Sequence, residues 1–360
     1  MMELEDIIGN DDLKRALSGM ISGNRVPHAI MFYENEGCGA LAIAMAFVKK
    51  LNEGRHPDVH YTFPITSGTK VKGEVKNLVC DMYRPLWNEL VEKNPYFLES
   101  ELSEALGFEK KKGIIGVAEG KAIIQKLSLT SLSDGYRAVI MWLPERMNAE
   151  TANKLLKAIE EPSPKDIFIL ITHSPSSVLQ TISSRCQALR VLPLSKEEVS
   201  RTLQVQFGYS EEDAQFAASF SSGSVGEALY SLSRKEETSA TRDLFFTLME
   251  NIMTRDYLAT LEAGDAIAAL DSREKQKAFC NFAAECIRKI FMLQQGMEEI
   301  SGILPQERDL YVEMAGKCGR SFCRSSLDII GKAALRLERN VNQKIIFCNM
   351  VSKMFGSVRQ

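Results

Sequence analysis

Three continuous apolar runs of strand length restrict the folds open to the first half of the chain: Ala29-Ile30-Met31-Phe32-Tyr33, Ala138 to Leu143, and Ile167 to Thr172. A strand wetted on one side alternates apolar and polar residues. A run without alternation needs cover on both faces, the condition of a strand inside a parallel sheet. Between the second and third runs, Ala149, Ala152, Leu155, Leu156 and Ile159 recur at helical spacing, and Pro162 and Pro164 end that helix. Strand, helix and strand at this spacing make a βαβ unit, so the expected class is α/β with a parallel sheet.

The pattern then changes twice. From about 63 to 113 the alternation lapses: Thr66-Ser67-Gly68-Thr69 is loop-like, amphipathic helical pieces lie around Val75 to Val91, and Glu109-Lys110-Lys111-Lys112-Gly113 is a charged run. This segment reads as an insertion on a first domain spanning 1–194, its lysine run a solvated loop rather than a nucleic-acid contact. After Leu194 strand signals cease. Ser195 to Glu198 and Ser224 to Glu227 have the Ser-x-x-Glu form of a capping box, and Ser210 opens a third helix in the same way. These three short helices define a small lid domain over 195–238. Long amphipathic patterns, including Gln276 to Leu293 and Ser325 to Glu338, predict an all-α collar domain over 239–360.

Composition excludes several function classes. A net charge of -3 and a pI near 6.0 argue against a globally basic nucleic-acid binder. No apolar stretch approaches a membrane span, and the acidic start Met1 to Asp6 lacks the basic region of a secretory signal. Eight cysteines contain no Cys-x-x-Cys pair; they read as reduced thiols of a cytoplasmic protein, with Cys280, Cys286, Cys318, Cys323 and Cys348 as small buried hydrophobes on helices. His56 and His60 have i, i+4 spacing, but Pro57 stands between them and no third ligand accompanies them, so no metal site is expected.

A strand, a glycine turn and a helix form the usual cradle for nucleotide phosphates, because free backbone amides point outward at the helix N-terminus. After Tyr33 the chain runs Glu34-Asn35-Glu36-Gly37-Cys38-Gly39-Ala40-Leu41 and enters a helix. Against G-x-x-x-x-G-K-[ST], Glu34 takes the first glycine's place and Gly39 the second's. Ala40 replaces the phosphate-binding lysine and Leu41 the magnesium-binding hydroxyl. This loop should not bind ATP, and no cofactor is expected.

Two longer motifs carry more information. Asn153-Lys154-Leu155-Leu156-Lys157-Ala158-Ile159-Glu160-Glu161-Pro162 and Thr181-Ile182-Ser183-Ser184-Arg185-Cys186 closely resemble the clamp-loader branch of AAA+ proteins. Pro27-His28-Ala29, His56-Pro57-Asp58 and Arg339-Asn340-Val341-Asn342 extend the resemblance over nearly the whole chain. It implies a P-loop AAA+ domain followed by the lid and collar already read from the pattern, with the collar joining subunits into a ring. Active members of the branch place Asp-Glu where Trp142 and Leu143 stand here. Their sensor arginine, from a Gly-Ser-x-Arg motif, corresponds to Gly226 of Gly223-Ser224-Val225-Gly226. Thr172 occupies a sensor position with no phosphate to sense. Arg185, with Ser184 and Cys186, is retained and would act in trans as an arginine finger on a neighbouring subunit's nucleotide.

The resemblance therefore implies a protein that is no ATPase by itself but a silent member of the bacterial DNA polymerase III clamp loader. Its partners would be delta and the gamma/tau ATPase subunits, with the sliding clamp and primed DNA met through the assembled complex. The alternatives are an active gamma/tau-type ATPase, which the missing lysine opposes, and a degenerate AAA+ adaptor outside replication. The four-cysteine zinc module of many branch members has no counterpart here, since Lys49 to Arg55 contains no cysteine.

Overall fold

A computed structural model describes residues 2–53, 58–108, 111–129, 135–298, 300–303, 307–339 and 341–358. His56, Pro57, Glu109, Lys110 and Asn340, each part of a motif or run named above, lie outside the described residues. The chain forms two compact units, one of Met1–Ala214 with Ser221–Tyr230, the other of Gln215–Phe220 with Ser231–Gln360.

The first unit holds a five-stranded sheet: β1 (Ala29–Tyr33), β2 (Asp58–Thr62), β3 (Arg137–Trp142), β4 (Asp166–Thr172) and β5 (Gln187–Arg190), in the order β2-β3-β4-β1-β5. Every pairing is parallel, with Tyr33 beside Thr172 at the carboxyl ends of β1 and β4. Strands β3 and β4 are buried throughout, as the unbroken apolar runs require. Ala29, Met31, Val139, Met141, Phe168 and Leu170 fill one layer with Leu155 and Ile159 of the Ala149–Glu160 helix. The connection leaving β1 runs towards β2, whereas all later connections run the other way. The carboxyl ends of β1 and β4 therefore border the crevice where parallel sheets take ligands.

Segment 63–113 contains short 3-10 turns and the helices Arg84–Lys93 and Glu99–Leu106. Trp87 from the first of these is buried, stacked on Phe63 at 4.2 Å and edge-on to Trp142 at 6.3 Å. The insertion thus packs into the first unit's core instead of lying on its surface.

Ser195 caps its helix reciprocally with Glu198, and the Ser210 and Ser224 hydroxyls accept the amides of Asp213 and Glu227. The second unit is helical, its core built from Phe245, Phe279, Ile287, Tyr311, Phe322 and Phe347. Its long helices include Lys235–Thr254, Arg273–Gln294 and Arg320–Glu338. Gln215–Phe220, from the segment read above as the lid, belongs to this unit: Phe220 stacks on Phe282 at 4.8 Å and lies 3.7 Å from the buried Lys289 ammonium. Cys280, Cys286, Cys318 and Cys323 are buried as expected, but Cys348 is exposed on the outer side of the Gln343–Ser357 helix. No helix among the described residues is long and apolar enough to cross a membrane.

Candidate functional site

The glycine loop after β1 sits at the crevice, and its own Glu34 carboxylate stands at the start of the following helix. Gly37 and Gly39 hold φ of 76° and 107°, a region closed to most residues, and so let the chain turn from β1 into the Ala40–Leu51 helix. At that helix start the Glu34 side chain curls back, and its Oε2 accepts the Ala40 amide at 2.8 Å. This is the interaction a bound phosphate would make: an oxyanion on a free N–H at the positive end of a helix. The Glu34 side chain is only 3% exposed. Leu41 and, within the loop, Cys38 are buried, and burial, with Glu34 adding to the effect, pushes the Cys38 thiol up to about 12.

The rest of the loop is closely packed by protein. Gly226 donates its amide to the Gly37 carbonyl at 3.0 Å, and Ser224 Oγ bonds the Glu36 carbonyl at 2.8 Å. A Cβ on Gly226 would stand 2.1 Å from the Tyr96 carbonyl oxygen, and one on Gly37 only 3.1 Å from Leu98 Cδ2. Tyr96 and Leu98 belong to the insertion. It therefore closes over the loop at the place where a sensor side chain would need room. The Glu99 amide donates to Glu36, and Arg146 holds Glu99 through two bonds of 2.6 and 2.8 Å.

Where magnesium ligands would project, Trp142 and Leu143 are buried, Leu143 in a left-handed conformation at φ 59°. Trp142 packs against Phe97 at 5.1 Å and edge-on to His173 at 5.7 Å. Sequence reasoning missed His173. Its ring Nε2 lies 3.8 Å from Glu34 Oε1, and its amide donates to Glu145 Oε1 at 3.1 Å. Burial opposes the charged ring, yet Glu34, Glu36 and Glu145 outweigh it and raise the pKa above the usual histidine value. A histidine following a buried strand whose register ends beside the loop was the available signal. Thr172, just before it, accepts the Ser174 amide through Oγ1 at 3.1 Å, a structural role.

Arg185 has no part in this cluster. It follows the short Gln180–Ser183 helix, donates to the Thr181 carbonyl at 2.6 Å and to Ser184 Oγ at 3.3 Å, and pairs with Glu160 at the end of the Ala149–Glu160 helix. The Arg185 and Glu160 side chains are 36% and 42% exposed. Cys186 is half-buried, its thiol on the Ile182 carbonyl at 3.3 Å. His60 is engaged at both ring nitrogens, by Glu119 at 2.8 Å and Lys126 at 2.8 Å.

A family model described as "DNA polymerase III, delta subunit" matches residues 9–195, more than half of the chain. The chain belongs to that family. Its similar relatives include DNA polymerase III subunit delta' of Bacillus subtilis, 25% identical over 260 residues, covering 67% of this chain and 64% of that protein. The subunit of the same name from Escherichia coli is 28% identical over 157 residues, covering 43% of this chain and 46% of that protein. The chain thus spans less than two thirds of the length of these relatives. Among solved structures, a gamma subunit-related protein of DNA polymerase III from Thermotoga maritima aligns at 15% identity and TM-score 0.40, covering 95% of this chain and 99% of that one. Within this delta-family member, Glu34, Ala40, Leu41, Trp142, Leu143 and Arg185 fall inside the matched segment. Gly226 and the closing contact it makes lie beyond it.

Proposed function

We propose that this delta-family protein is the non-ATPase delta-prime subunit of a clamp loader, helping to load the sliding clamp onto primed DNA. It would work in the cytoplasm beside delta and the gamma/tau ATPase subunits, the helical unit serving as the collar that joins the ring. The observation that carries the reading is the Glu34 carboxylate on the Ala40 amide. An internal anion at the phosphate position, with Tyr96 against Gly226, leaves nothing for ATP to bind. The similarity to delta' subunits and to the tau subunit of Bacillus subtilis, 24% identical over 230 residues, supports a place in this assembly.

Arg185 would supply the one charged group the silent subunit gives to catalysis. Its partner Glu160 forms an exposed ion pair, worth about 0 to 1 kcal/mol. Exchanging that carboxylate for the γ-phosphate of a neighbouring subunit therefore costs little, and a guanidinium placed there stabilises charge that develops during phosphoryl transfer. The test is reconstitution with gamma/tau and delta, followed by DNA- and clamp-stimulated ATP hydrolysis. Arg185→Ala should assemble normally and lower turnover at the adjoining site, by up to the roughly 10³-fold or more that arginine fingers supply. Wild-type turnover would reduce Arg185 to a surface residue.

A further inference from the structure

The lysine run at 111–112 reads as a solvated loop when taken alone, but the structure sets a second lysine-bearing segment beside it. Ile65 and Ile114 exchange two backbone hydrogen bonds of 3.0 Å as an antiparallel bridge. Further out, the Thr69 amide donates to the Gly107 carbonyl at 2.9 Å, and Lys111 Nζ reaches the Ser67 carbonyl at 2.9 Å. Glycines permit the approach: a Cβ on Gly68 would stand 2.4 Å from the Gly107 carbonyl oxygen, and one on Gly113 only 2.8 Å from the Pro64 carbonyl carbon. Two stretches some forty residues apart are thereby clasped together.

Over 65–77 and 107–114 these segments carry Lys70, Lys72, Lys111 and Lys112, with Lys76 following in the short 3-10 helix Val75–Asn77, all exposed, and Glu74 is the one carboxylate among their described residues. Glu74 is taken up by Lys76 at 2.9 Å. Lys70, Lys72, Lys111 and Lys112 have no carboxylate partner among the described residues. In a chain of net charge -3 this is a local concentration of positive charge. A like-charged cluster held together by the backbone is suited to a surface that brings its own regularly spaced negative charge.

We infer that this clasped pair of segments is a contact for the phosphate backbone of duplex DNA. Single strands are gripped by stacking bases on exposed aromatic rings. Phe108 is the sole aromatic residue on the two segments, and it is buried. What remains is ammonium groups on flexible stems, which neutralise phosphates without reading sequence. The choice of DNA among polyanions rests on the clamp-loading reading, and the assignment deepens it by giving this subunit a duplex contact of its own.

The test compares the full chain with a quadruple variant, Lys70→Ala, Lys72→Ala, Lys111→Ala and Lys112→Ala. Each is measured alone and in the reconstituted complex, on a short duplex and a single strand over a salt series. Each phosphate contact adds about -0.9 to the slope of log K against log salt on duplex. Wild type should therefore show a slope steeper than the variant's by up to about 3.6, or an extra loss on the order of 10²-fold in affinity between about 50 and 200 mM salt. Thermal melts should stay close, because the four stems are exposed and the one bond lost, from Lys111 to the Ser67 carbonyl, lies at the surface while the backbone bonds of the clasp remain. Superimposable binding curves for chain and variant, alone and in the complex, would overturn the inference, as would a lysine-dependent preference for the single strand. Lysine-dependent duplex binding by a chain that does not join the replication subunits would keep the surface and sink the clamp-loader reading instead.

Discussion

The loop's self-contained anion can be weighed by removing it. In Glu34→Ala the Ala40 amide loses its acceptor at the buried start of a helix, and His173 loses the carboxylate 3.8 Å away. A hydrogen bond to a charged group contributes about 1.5 to 3 kcal/mol, and breaking a buried ion pair from one side costs about 3 to 5 kcal/mol. The two effects share one carboxylate and do not add; a loss of about 3 kcal/mol is expected. Glu34→Gln keeps an acceptor oxygen and should lose about 1 kcal/mol. The chain contains two tryptophans, Trp87 and Trp142, which touch edge-on in the same unit as the loop, so tryptophan fluorescence during denaturant unfolding reports on that unit alone. The pH dependence has a definite sign. A raised His173 pKa contributes stability that is complete below the ring's unfolded value of about 6.5 and fades as pH rises through the folded value. The gap between wild type and Glu34→Ala should therefore be wider at about pH 6 than at about pH 9. A midpoint shift equivalent to less than about 0.5 kcal/mol for Glu34→Ala, with unchanged slope, would refute the internal-anion account.

Restoring the missing nucleotide residues with Ala40→Lys and Leu41→Thr should not create ATP binding, since Glu34 and the Tyr96 carbonyl still fill the pocket; calorimetric titration with Mg-ATP should stay flat, and micromolar binding would show the pocket to be open. If Arg185 acts in trans as proposed, Arg185→Lys should recover only part of the activity lost in Arg185→Ala, because an ammonium lacks the planar fork; full recovery would mean that charge alone matters. A helical fragment beginning at 210 should melt cooperatively, whereas one beginning at 239 removes Phe220 and Ser219 from the buried Lys289 and should be partly unfolded by circular dichroism; equal melts would place Gln215–Phe220 outside the helical core.

What the sequence disclosed follows from the range of the forces involved. Ala29–Tyr33 was readable to the residue because five apolar side chains in succession admit few environments. Strands β3 and β4 each begin one residue earlier than their apolar runs, at Arg137 and Asp166, which pair with each other at 2.8 Å where the two strands start. Strand β2 escaped notice because His60 and Thr62 break its apolar character in order to bond the buried Glu119 carboxylate. Strand β5 escaped because it is an exposed edge reading Gln-Ala-Leu-Arg. The emptied loop was legible as missing side chains. Its filling was not, since Tyr96 and Leu98 meet Gly226 and Gly37 across sequence separations that no local pattern spans.

A vacated ligand pocket cannot simply stay empty, because atoms lining a void lose their contacts and buried polar groups lose their partners. On the proposed reading, each contact that an ATPase of the family would make has a protein replacement here: Glu34 on the Ala40 amide, Trp142 packed with Phe97 and His173, and the Tyr96 carbonyl against Gly226. Those replacements are buried and mutually supporting, so reopening the pocket means breaking several at once. Arg185 is in the opposite condition. Its exposed pair with Glu160 is worth at most about 1 kcal/mol, less than the factor of ten that about 1.4 kcal/mol represents. The loop contacts are thus buried and tightly partnered while the Arg185 guanidinium can change partners at almost no cost, which is the division that the proposed function, a silent subunit offering its arginine to a neighbour, requires.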